Sequence, residues 1–268
     1  MVSVVKASGA VEAFDAGKLA SSIARCGVPE SEAWLLAREV ERGLPEEVSS
    51  GEVYARALEL LRERYPACAL RYALRRGIMM LGPEGYPFEK YVAKLLARIG
   101  YAVRTNVVAK GRCISHELDV VAEREGERVM VECKYHNAPG VKVDAKVALY
   151  VYARFLDLSD QFDKAWIVTN TKVTEEAAAY AECVGMRVTA WRYPEGAGLE
   201  KLVEDLRLYP VTVLPSLGES ARRSLLKRGI VTLDDLLRAG PAELAASGLR
   251  PEEAEAAVRE AKLLQQLG

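Results

Sequence analysis

The chain has 268 residues, half of them hydrophobic, and its 37 lysines and arginines nearly balance 38 aspartates and glutamates. A disordered chain needs lower hydrophobicity and higher net charge, and a simple polycation needs a basic excess, so both classes are excluded. At about 100–200 residues per domain, the length predicts two domains or three small ones. Because the chain has only 2 histidines, His-based metal centres and Ser–His catalytic sites are disfavoured.

The hydropathy of the chain argues against a membrane protein. No apolar run approaches the roughly 18–20 residues that a membrane-spanning helix requires. The first residues, Met1–Lys6, lack the basic-then-apolar layout of a signal peptide. We therefore expect a cytoplasmic protein with no membrane partner.

Turn-forming residues divide the chain into three segments. The stretch Gly82–Pro87 is dense in Gly and Pro and is typical of a linker, and Tyr209–Pro210 marks a second boundary. We predict domains at 1–83, 84–208 and 209–268. The expected fold class is multidomain α/β: a small β-hairpin with a helical bundle, then an α/β core, then an all-α domain.

The first segment predicts a hairpin followed by helices. Asp15 is expected to cap the first helix, and Ser49 or Ser50 the third. The expected elements are strands at 2–7 and 11–14 and helices at 16–25, 30–43, 50–64 and 67–80.

The stretch Val5–Leu19 resembles the opening of the ATP-cone, a regulatory nucleotide-binding domain. The resemblance implies ATP or dATP as an effector. It also implies two phosphate-contacting lysines and two acids around the base and ribose, namely Lys6, Lys18, Glu12 and Asp15. Ala7 stands where the family usually has an arginine, which removes one bidentate phosphate contact. A cone that serves only in protein contacts is the alternative.

The middle segment predicts a small mixed α/β domain with the element order αβββαβαβ. Its first helix carries an apolar stripe from Phe88 to Ile99 at helical spacing. Further elements are expected as helices at 143–157 and 174–184 and strands at 164–169 and 187–191.

Charged residues on two strands of this segment predict a catalytic site. Strand alternation places Glu117 and Asp119 on one face, and Glu132 and Lys134 on one face of the next strand. If the strands are hairpin neighbours, Asp119, Glu132 and Lys134 converge. Grouped carboxylates bind hard cations such as Mg²⁺, which activate water and stabilise charge on a phosphodiester. A neighbouring lysine can position water or stabilise the developing anion.

Asp119, followed by Glu132-Cys-Lys134, resembles the PD-(D/E)xK nuclease motif, and residues 84–193 resemble the Mrr branch of the restriction endonuclease-like superfamily. The resemblance implies a DNA endonuclease with Mg²⁺ or Mn²⁺ as cofactor and Asp119, Glu132 and Lys134 as catalytic residues. It implies metal ligands at Glu89, Asp119 and Glu132, with Glu117 as either an extra ligand or a disturbance of the metal geometry. The loop 135–142 is expected over the site. Relatives that only bind DNA make a non-catalytic, nucleotide-responsive DNA-binding regulator the alternative.

The last segment predicts short helices and resembles tandem helix-hairpin-helix domains over 210–266. The resemblance implies that the hairpin amides and nearby cations hold a DNA phosphate, with the candidate residues Gly218, Arg222, Arg223 and Lys227. Ser216 replaces one glycine of the usual Gly-x-Gly turn. A helical protein-interaction domain is the alternative. The expected partners are thus DNA and a nucleotide effector, and association with a second copy of the chain stays open.

Overall fold

The computed structural model describes residues 2–6, 9–82, 85–138 and 140–266. Ala7 at the end of the first predicted strand, Ser8 after it, and Pro83 and Glu84 of the predicted linker lie outside these described residues. The chain divides into two compact units, of which unit 1 is residues up to 75 with those from 263 onward, and unit 2 is residues 76–262. Within the described ranges, no helix is long and apolar enough to cross a lipid bilayer.

Unit 1 combines a small sheet with helices. Its elements are β1 (Ser3–Val5), β2 (Val11–Ala13), α1 (Ala16–Ala24), α2 (Glu30–Arg42), β3 (Glu47–Ser49), α3 (Ser50–Arg64) and α4 (Pro66–Met79), which contains the boundary with unit 2. β1 pairs antiparallel with β2, as the predicted hairpin requires, and parallel with β3. The sequence does not predict β3, because a three-residue strand shows no readable alternation.

Polar caps define where two helices of unit 1 begin. Asp15 Oδ1 accepts a hydrogen bond from Lys18 N at 2.9 Å. Ser49 Oγ accepts from Glu52 N at 3.1 Å, and the Glu52 carboxylate accepts from Ser49 N at 2.9 Å, which forms a capping box. Both predicted caps are therefore confirmed. The helices pack through fully buried side chains that include Ile23, Leu36, Val40 and Leu61.

Unit 2 is built around a mixed sheet. Its elements are α5 (Tyr86–Arg98), β4 (Ala102–Lys110), β5 (Ser115–Arg124), β6 (Glu127–Lys134), β7 (Lys142–Val143), α6 (Ala145–Asp157), β8 (Lys164–Thr169), β9 (Lys172–Val173), α7 (Glu175–Cys183), β10 (Arg187–Thr189), α8 (Leu199–Leu206), a 3₁₀ turn (Val211–Val213), α9 (Glu219–Lys227), α10 (Leu233–Ala246) and most of α11 (Pro251–Gln266). The main sheet has the order β10-β8-β6-β5-β4. The predicted order αβββαβαβ is confirmed, with the short β7–β9 pair added.

The central strands of this sheet are buried on both faces. Met130 and Val131 of β6 and Ile167 of β8 are completely shielded from solvent. β4, β5 and β6 are antiparallel neighbours, whereas β6, β8 and β10 run parallel. Because Lys134 and Thr169 are register partners, β6 and β8 end at the same edge of the sheet.

The C-terminal helices of unit 2 pack on α5. Tyr91 Oη donates to the Leu208 carbonyl at 2.6 Å, and Lys94 Nζ lies 2.8 Å from Asp235 Oδ1. Contacts across residue 208 therefore join the middle and last predicted segments, while the three-domain division stays a sequence-based prediction. α10 breaks at Gly240, whose φ is 71°, and this break agrees with the short helices that the sequence predicts in the last segment.

Candidate active site

Strands β5 and β6 separate at the place where the predicted catalytic residues lie. The ladder between them ends at Val120 and Val131, one residue short of Asp119 and Glu132. In place of a backbone partner, Cys133 N donates a hydrogen bond to Asp119 Oδ2 at 2.7 Å. The gap between the strands is thus spanned by a carboxylate in a defined orientation.

Glu132 is buried between two cationic groups. Its side chain is 6% exposed, and its Oε1 lies 2.6 Å from Lys134 Nζ. Its Oε2 accepts a hydrogen bond from Arg154 Nη1, and Arg154 Nη2 donates to the Glu117 carbonyl. The predicted meeting of Asp119, Glu132 and Lys134 at one sheet edge is therefore observed, with Arg154 as a further member.

Arg154 is a site residue that the sequence analysis missed. On α6 and just beyond it, Val151, Arg154 and Leu158 follow helical spacing, and all three are buried. An arginine in the buried stripe of an amphipathic helix needs a partner inside the protein. That break in the apolar pattern is the signal from which Arg154 could have been found.

Burial and mutual repulsion raise the pKa of the neighbouring carboxyl groups. Burial comes first for Glu89, whose pKa rises to about 7. The negative charges that add to this effect are, in decreasing order, those of Asp119, Glu117 and Glu132. Burial and then Glu132 raise the pKa of Asp119 to about 6, although the Cys133 amide and two nearby cations oppose the rise.

The donor chemistry of the cluster suits a hard cation, but its oxygens are already engaged. Among the described residues, no three His, Cys, Asp or Glu side chains are arranged to hold a metal ion as they stand. Both oxygens of Glu132 face cations, and Oδ2 of Asp119 accepts from a backbone amide. Three of the predicted ligands, namely Glu117, Asp119 and Glu132, lie within electrostatic range of the fourth, Glu89.

The segment that follows β6 is anchored at the same edge of the sheet. Tyr135 Oη donates to the Met79 carbonyl at 2.6 Å. The buried side chain of Asn170 accepts from His136 N at 2.9 Å and donates to His136 O at 2.7 Å. The sequence analysis missed Asn170, because no motif marks it. Pro139, in the loop expected over the site, lies outside the described residues.

The predicted nucleotide-binding residues line one pocket of unit 1. The pocket has a volume of about 210 Å³, and Tyr54 and Tyr72, which also line it, stack with ring centroids 5.2 Å apart. The four predicted residues in its wall are Lys6, Glu12, Asp15 and Lys18.

The charged groups of this pocket neutralise one another. Lys6 Nζ lies 2.7 Å from Glu12 Oε1, and Lys18 Nζ lies 3.9 Å from both Glu12 Oε1 and Asp15 Oδ2. The hydrogen bond from Lys6 is the first cause that lowers the pKa of Glu12. Lys6 therefore faces a carboxylate where the resemblance implies a phosphate.

The turn before α9 already holds an anion from within the protein. Gly218 is the N-cap residue of α9 and has no side-chain cap. Ser216 N and Oγ donate to Glu260 Oε2 at 3.3 and 2.8 Å. A carboxylate thus occupies a turn amide at which the helix-hairpin-helix resemblance implies a DNA phosphate.

The predicted cations of α9 differ in exposure. Lys227 and Arg223 are exposed, and Arg223 Nη2 lies 2.5 Å from Glu219 Oε1. Arg222 is half-buried, with Nη1 3.5 Å from Met80 Sδ. Arg223 and Lys227 are therefore at the surface, whereas Arg222 packs within unit 2.

Two protein-family models match unit 2. One, described as "Restriction endonuclease", matches residues 82–199, and the other, described as "AF1548-like, C-terminal", matches residues 209–265. The Mrr-type resemblance of the middle segment is therefore confirmed at the level of the family. The last segment matches the AF1548-like C-terminal model, so its helix-hairpin-helix character stays a prediction.

One curated protein and two solved structures align with parts of this chain. An uncharacterised protein of Archaeoglobus fulgidus is 45% identical over 172 residues, which are 64% of this chain and 98% of that protein. The crystal structure of AF1548, a protein of unknown function, aligns at 45% identity with a TM-score of 0.59, over 66% of this chain and 96% of that chain. The MspJI restriction endonuclease bound to a 27-mer oligonucleotide aligns at 15% identity over 77% of this chain and 40% of that chain. Its TM-score of 0.32 is too low to establish a shared fold.

High identity over almost the whole of one relative establishes the family. The match to the restriction endonuclease model covers strands β5 and β6, which carry Asp119, Glu132 and Lys134. The C-terminal helices match a model that bears the name of AF1548. The chain therefore belongs to the AF1548-like family and contains a restriction endonuclease-like domain at residues 82–199.

Proposed function

We propose that this protein is a metal-dependent DNA endonuclease that hydrolyses phosphodiester bonds, with Asp119, Glu132 and Lys134 as catalytic residues. The observation that carries the proposal is the meeting of these side chains where β5 and β6 separate, within a restriction endonuclease-like domain. A sheet edge holds such groups rigidly, and rigid placement of charge is the main requirement of phosphodiester chemistry.

The cluster has the charge that a divalent cation needs. The carboxylates that would hold Mg²⁺ or Mn²⁺ are Glu89, Glu117, Asp119 and Glu132. Lys134 and Arg154 offset two of these four negative charges, so the fully ionised cluster keeps a surplus of two. When bound, the cation would lower the pKa of a water molecule and stabilise charge on the phosphodiester.

Lys134 is the cationic group with access to a substrate. Its side chain is 30% exposed, whereas that of Glu132 is 6% exposed. The ammonium can therefore keep its ion pair with Glu132 and still reach a phosphate oxygen or an attacking water. Beside either the phosphate oxygen or the water, the ammonium stabilises the negative charge that develops as the phosphodiester bond breaks.

We also propose that the surface of α9 contacts the DNA backbone through Gly218, Arg222, Arg223 and Lys227. Contacts of this kind give affinity without base specificity and weaken steeply with salt. The exposure of Arg223 and Lys227 supports the proposal. Glu260 must leave Ser216 before a phosphate can bind that amide.

A nucleotide effector, ATP or dATP, is proposed for the pocket of unit 1. The tyrosine pair gives the pocket an aromatic wall that suits a base, and two lysines supply cationic groups for phosphate. The Lys6–Glu12 ion pair has to open before a phosphate can reach Lys6. Because this ion pair has to open, we expect the nucleotide to bind with modest affinity.

Cleavage of labelled DNA tests the main proposal. Duplex, nicked, branched and single-stranded substrates are incubated with Mg²⁺ or Mn²⁺, with and without ATP, beside Asp119→Ala and Lys134→Ala. We expect metal-dependent cutting that both variants lose. Cutting that survives Glu132→Ala would contradict the assignment of the site.

A non-catalytic, nucleotide-responsive DNA-binding regulator is the second candidate. The observation in its favour is that both oxygens of Glu132 pair with cations of the protein itself. DNA that shifts on a gel but is not cut under any metal condition would support this candidate. Calorimetry with ATP and dATP, repeated on Lys6→Ala, tests the effector in both cases, and absence of binding by the unchanged protein would remove it.

A further inference from the structure

The feature that neither motif nor family match accounts for is the buried arginine at the candidate site. Arg154 is 9% exposed and lies on α6, which follows the motif strand β6 and its loop along the chain. Its guanidinium has two polar contacts, one with the Glu132 carboxylate and one with the Glu117 carbonyl. A buried guanidinium with such partners is a fixed part of the site, because no solvent can replace either contact.

These two contacts join the strands where their own hydrogen bonds stop. Glu132 is on β6 and Glu117 is on β5, and the ladder between the strands has ended at Val120 and Val131. Arg154 thus bridges the gap in which Asp119 and Glu132 face each other. The width of that gap decides how far apart the two carboxylates lie.

We propose that Arg154 is a positioning residue of the metal site, which fixes Glu132 and limits the cluster to a single divalent cation. The part of this inference that concerns DNA cutting rests on the proposed function. The part that concerns the number of bound ions is tested by metal binding alone. One oxygen of Glu132 is withdrawn from metal coordination by Arg154, and the other stays beside the more exposed Lys134.

The charge of the cluster supports a limit of one ion. With Arg154 present, two positive side chains pair with Glu132 in a cluster of four carboxylates, so one divalent cation completes neutrality when all four are ionised. Without Arg154 the surplus is three negative charges, and Oε2 of Glu132 loses its partner while Oε1 stays beside Lys134. Removal of the guanidinium should therefore favour metal binding while it loosens the geometry for catalysis.

The arrangement around Arg154 is not an optimum for stability. Its Nε is buried with no hydrogen-bond partner among the described residues. A buried donor without a partner is destabilising, so the guanidinium is oriented by Glu132 and Glu117 through Nη1 and Nη2 while its Nε–H is left unpaired. This orientation is what a positioning role requires.

The test compares Arg154→Ala and Arg154→Lys with Arg187→Ala in the full chain. Arg187 is a suitable control, because it pairs with Glu127 at 2.9 Å in the same sheet but lies away from the cluster. Mn²⁺ binding is measured by calorimetry, folding by thermal melting, and cutting on the preferred DNA. Guanidinium ion at a concentration that does not denature the protein is then added to Arg154→Ala.

We expect the unchanged protein and Arg187→Ala to bind one equivalent of Mn²⁺. Arg154→Ala should bind Mn²⁺ at least as tightly, with a second equivalent, while its turnover falls about 10–100-fold, the usual effect of losing a group that orients a metal ligand. Added guanidinium should restore part of that turnover and remove the second equivalent. The turnover and the Mn²⁺ stoichiometry of Arg154→Lys should lie between those of the unchanged protein and Arg154→Ala, since an ammonium keeps the charge but cannot bridge both partners.

Other results would overturn the inference. A merely structural arginine predicts that Mn²⁺ affinity, turnover and melting temperature fall together and that guanidinium restores nothing. Equal turnover and equal stoichiometry in Arg154→Ala would also contradict it. If the unchanged protein binds Mn²⁺ but cuts no DNA, the proposed function fails while the stoichiometry still decides the role of Arg154. If it does neither, both fail.

Discussion

Glu132 of unit 2 and Glu12 of unit 1 each lie between two cationic side chains. Glu132 pairs with Lys134 and Arg154, and its side chain is 6% exposed. Glu12 pairs with Lys6 and lies 3.9 Å from Lys18, and its side chain is 42% exposed. The charge pattern is the same, and the surroundings differ.

The difference in burial decides what each group of charges can do. Buried ion pairs are strongly coupled, and removal of one partner leaves an uncompensated charge in the interior. Exposed ion pairs are weak and screened by salt, so a ligand with its own charge can replace one partner. The cluster at Glu132 is thus suited to hold a fixed geometry, and the one at Glu12 to exchange an internal partner for a phosphate.

The largest expected effect is on stability. Arg154→Ala should lower the free energy of unfolding by about 3–5 kcal/mol, because the buried Glu132 loses its buried partner and keeps only the partly exposed Lys134. Lys18→Ala should leave the unfolding midpoint unchanged within error, since its ion pairs are exposed. Urea unfolding at neutral pH measures both variants. Equal effects of the two substitutions would contradict the comparison.

The next effect is on catalysis. Lys134→Ala should reduce cutting by about 10²–10³-fold, as expected when one group that stabilises a developing charge is lost. Lys164→Ala is the matched control, because Lys164 Nζ lies 2.9 Å from Glu127 Oε1 at a distance from the cluster along the same sheet. Single-turnover cleavage measures the rates. A loss of similar size in the control would show that the effect is not specific to the site.

A smaller effect is expected from pH. Folding raises the pKa of Glu89 from 4.5 to about 7 and that of Asp119 from 3.8 to about 6. Between the unfolded-state and native-state pKa values of each group, the native state binds more protons than the unfolded state. The free energy of unfolding therefore falls as pH rises through this window. Metal binding requires the ionised carboxylates, so Mn²⁺ affinity should rise over the same window.

Calorimetry with Mn²⁺ at several pH values checks this dependence. Glu89→Gln removes the group with the higher pKa, so its affinity should change less between about pH 6 and 8. The unfolding midpoint of Glu89→Gln should likewise vary less with pH. An affinity for Mn²⁺ that is independent of pH in the unchanged protein would contradict the assignment of Glu89 and Asp119 to the metal site.

The smallest effect is expected in the pocket of unit 1. Glu12→Gln removes the carboxylate that competes with a phosphate for Lys6, so ATP or dATP should bind about 2–5-fold more tightly, as for other exposed charges. Calorimetry measures the change at low salt. Glu59→Gln is the control, since Glu59 pairs with Arg56 at 2.8 Å on the surface of the same unit. Weaker nucleotide binding by Glu12→Gln would indicate that Glu12 contacts the ligand directly.

Local patterns were sufficient for much of the fold. The apolar stripe from Phe88 to Ile99, the cap at Asp15 and the alternation around Asp119 and Glu132 are short-range signals, and each element lies where it was expected within two residues. The short strands β3, β7 and β9 could not be predicted, because they are defined by a distant partner and not by their own residues.

The candidate site likewise contains residues that local patterns predict and residues that they do not predict. Asp119, Glu132 and Lys134 are recognisable from spacing, since alternation along neighbouring strands brings them to one edge. Arg154 and Asn170 are not, because a buried polar side chain is identified by what it contacts and both contacts span more than 20 positions of the chain.

The sequence by itself determined which residue types are available for chemistry: a carboxylate pair with a lysine, few histidines and a balanced charge. Periodicity and spacing are sufficient for this, because they follow from local geometry. Only the tertiary structure decided that Glu132 pairs with the buried Arg154, that Glu260 accepts a hydrogen bond from the Ser216 amide and that Glu12 remains exposed. The physical reason is that burial depends on the whole fold, and burial determines whether a charge pair is a fixed support or an exchangeable site.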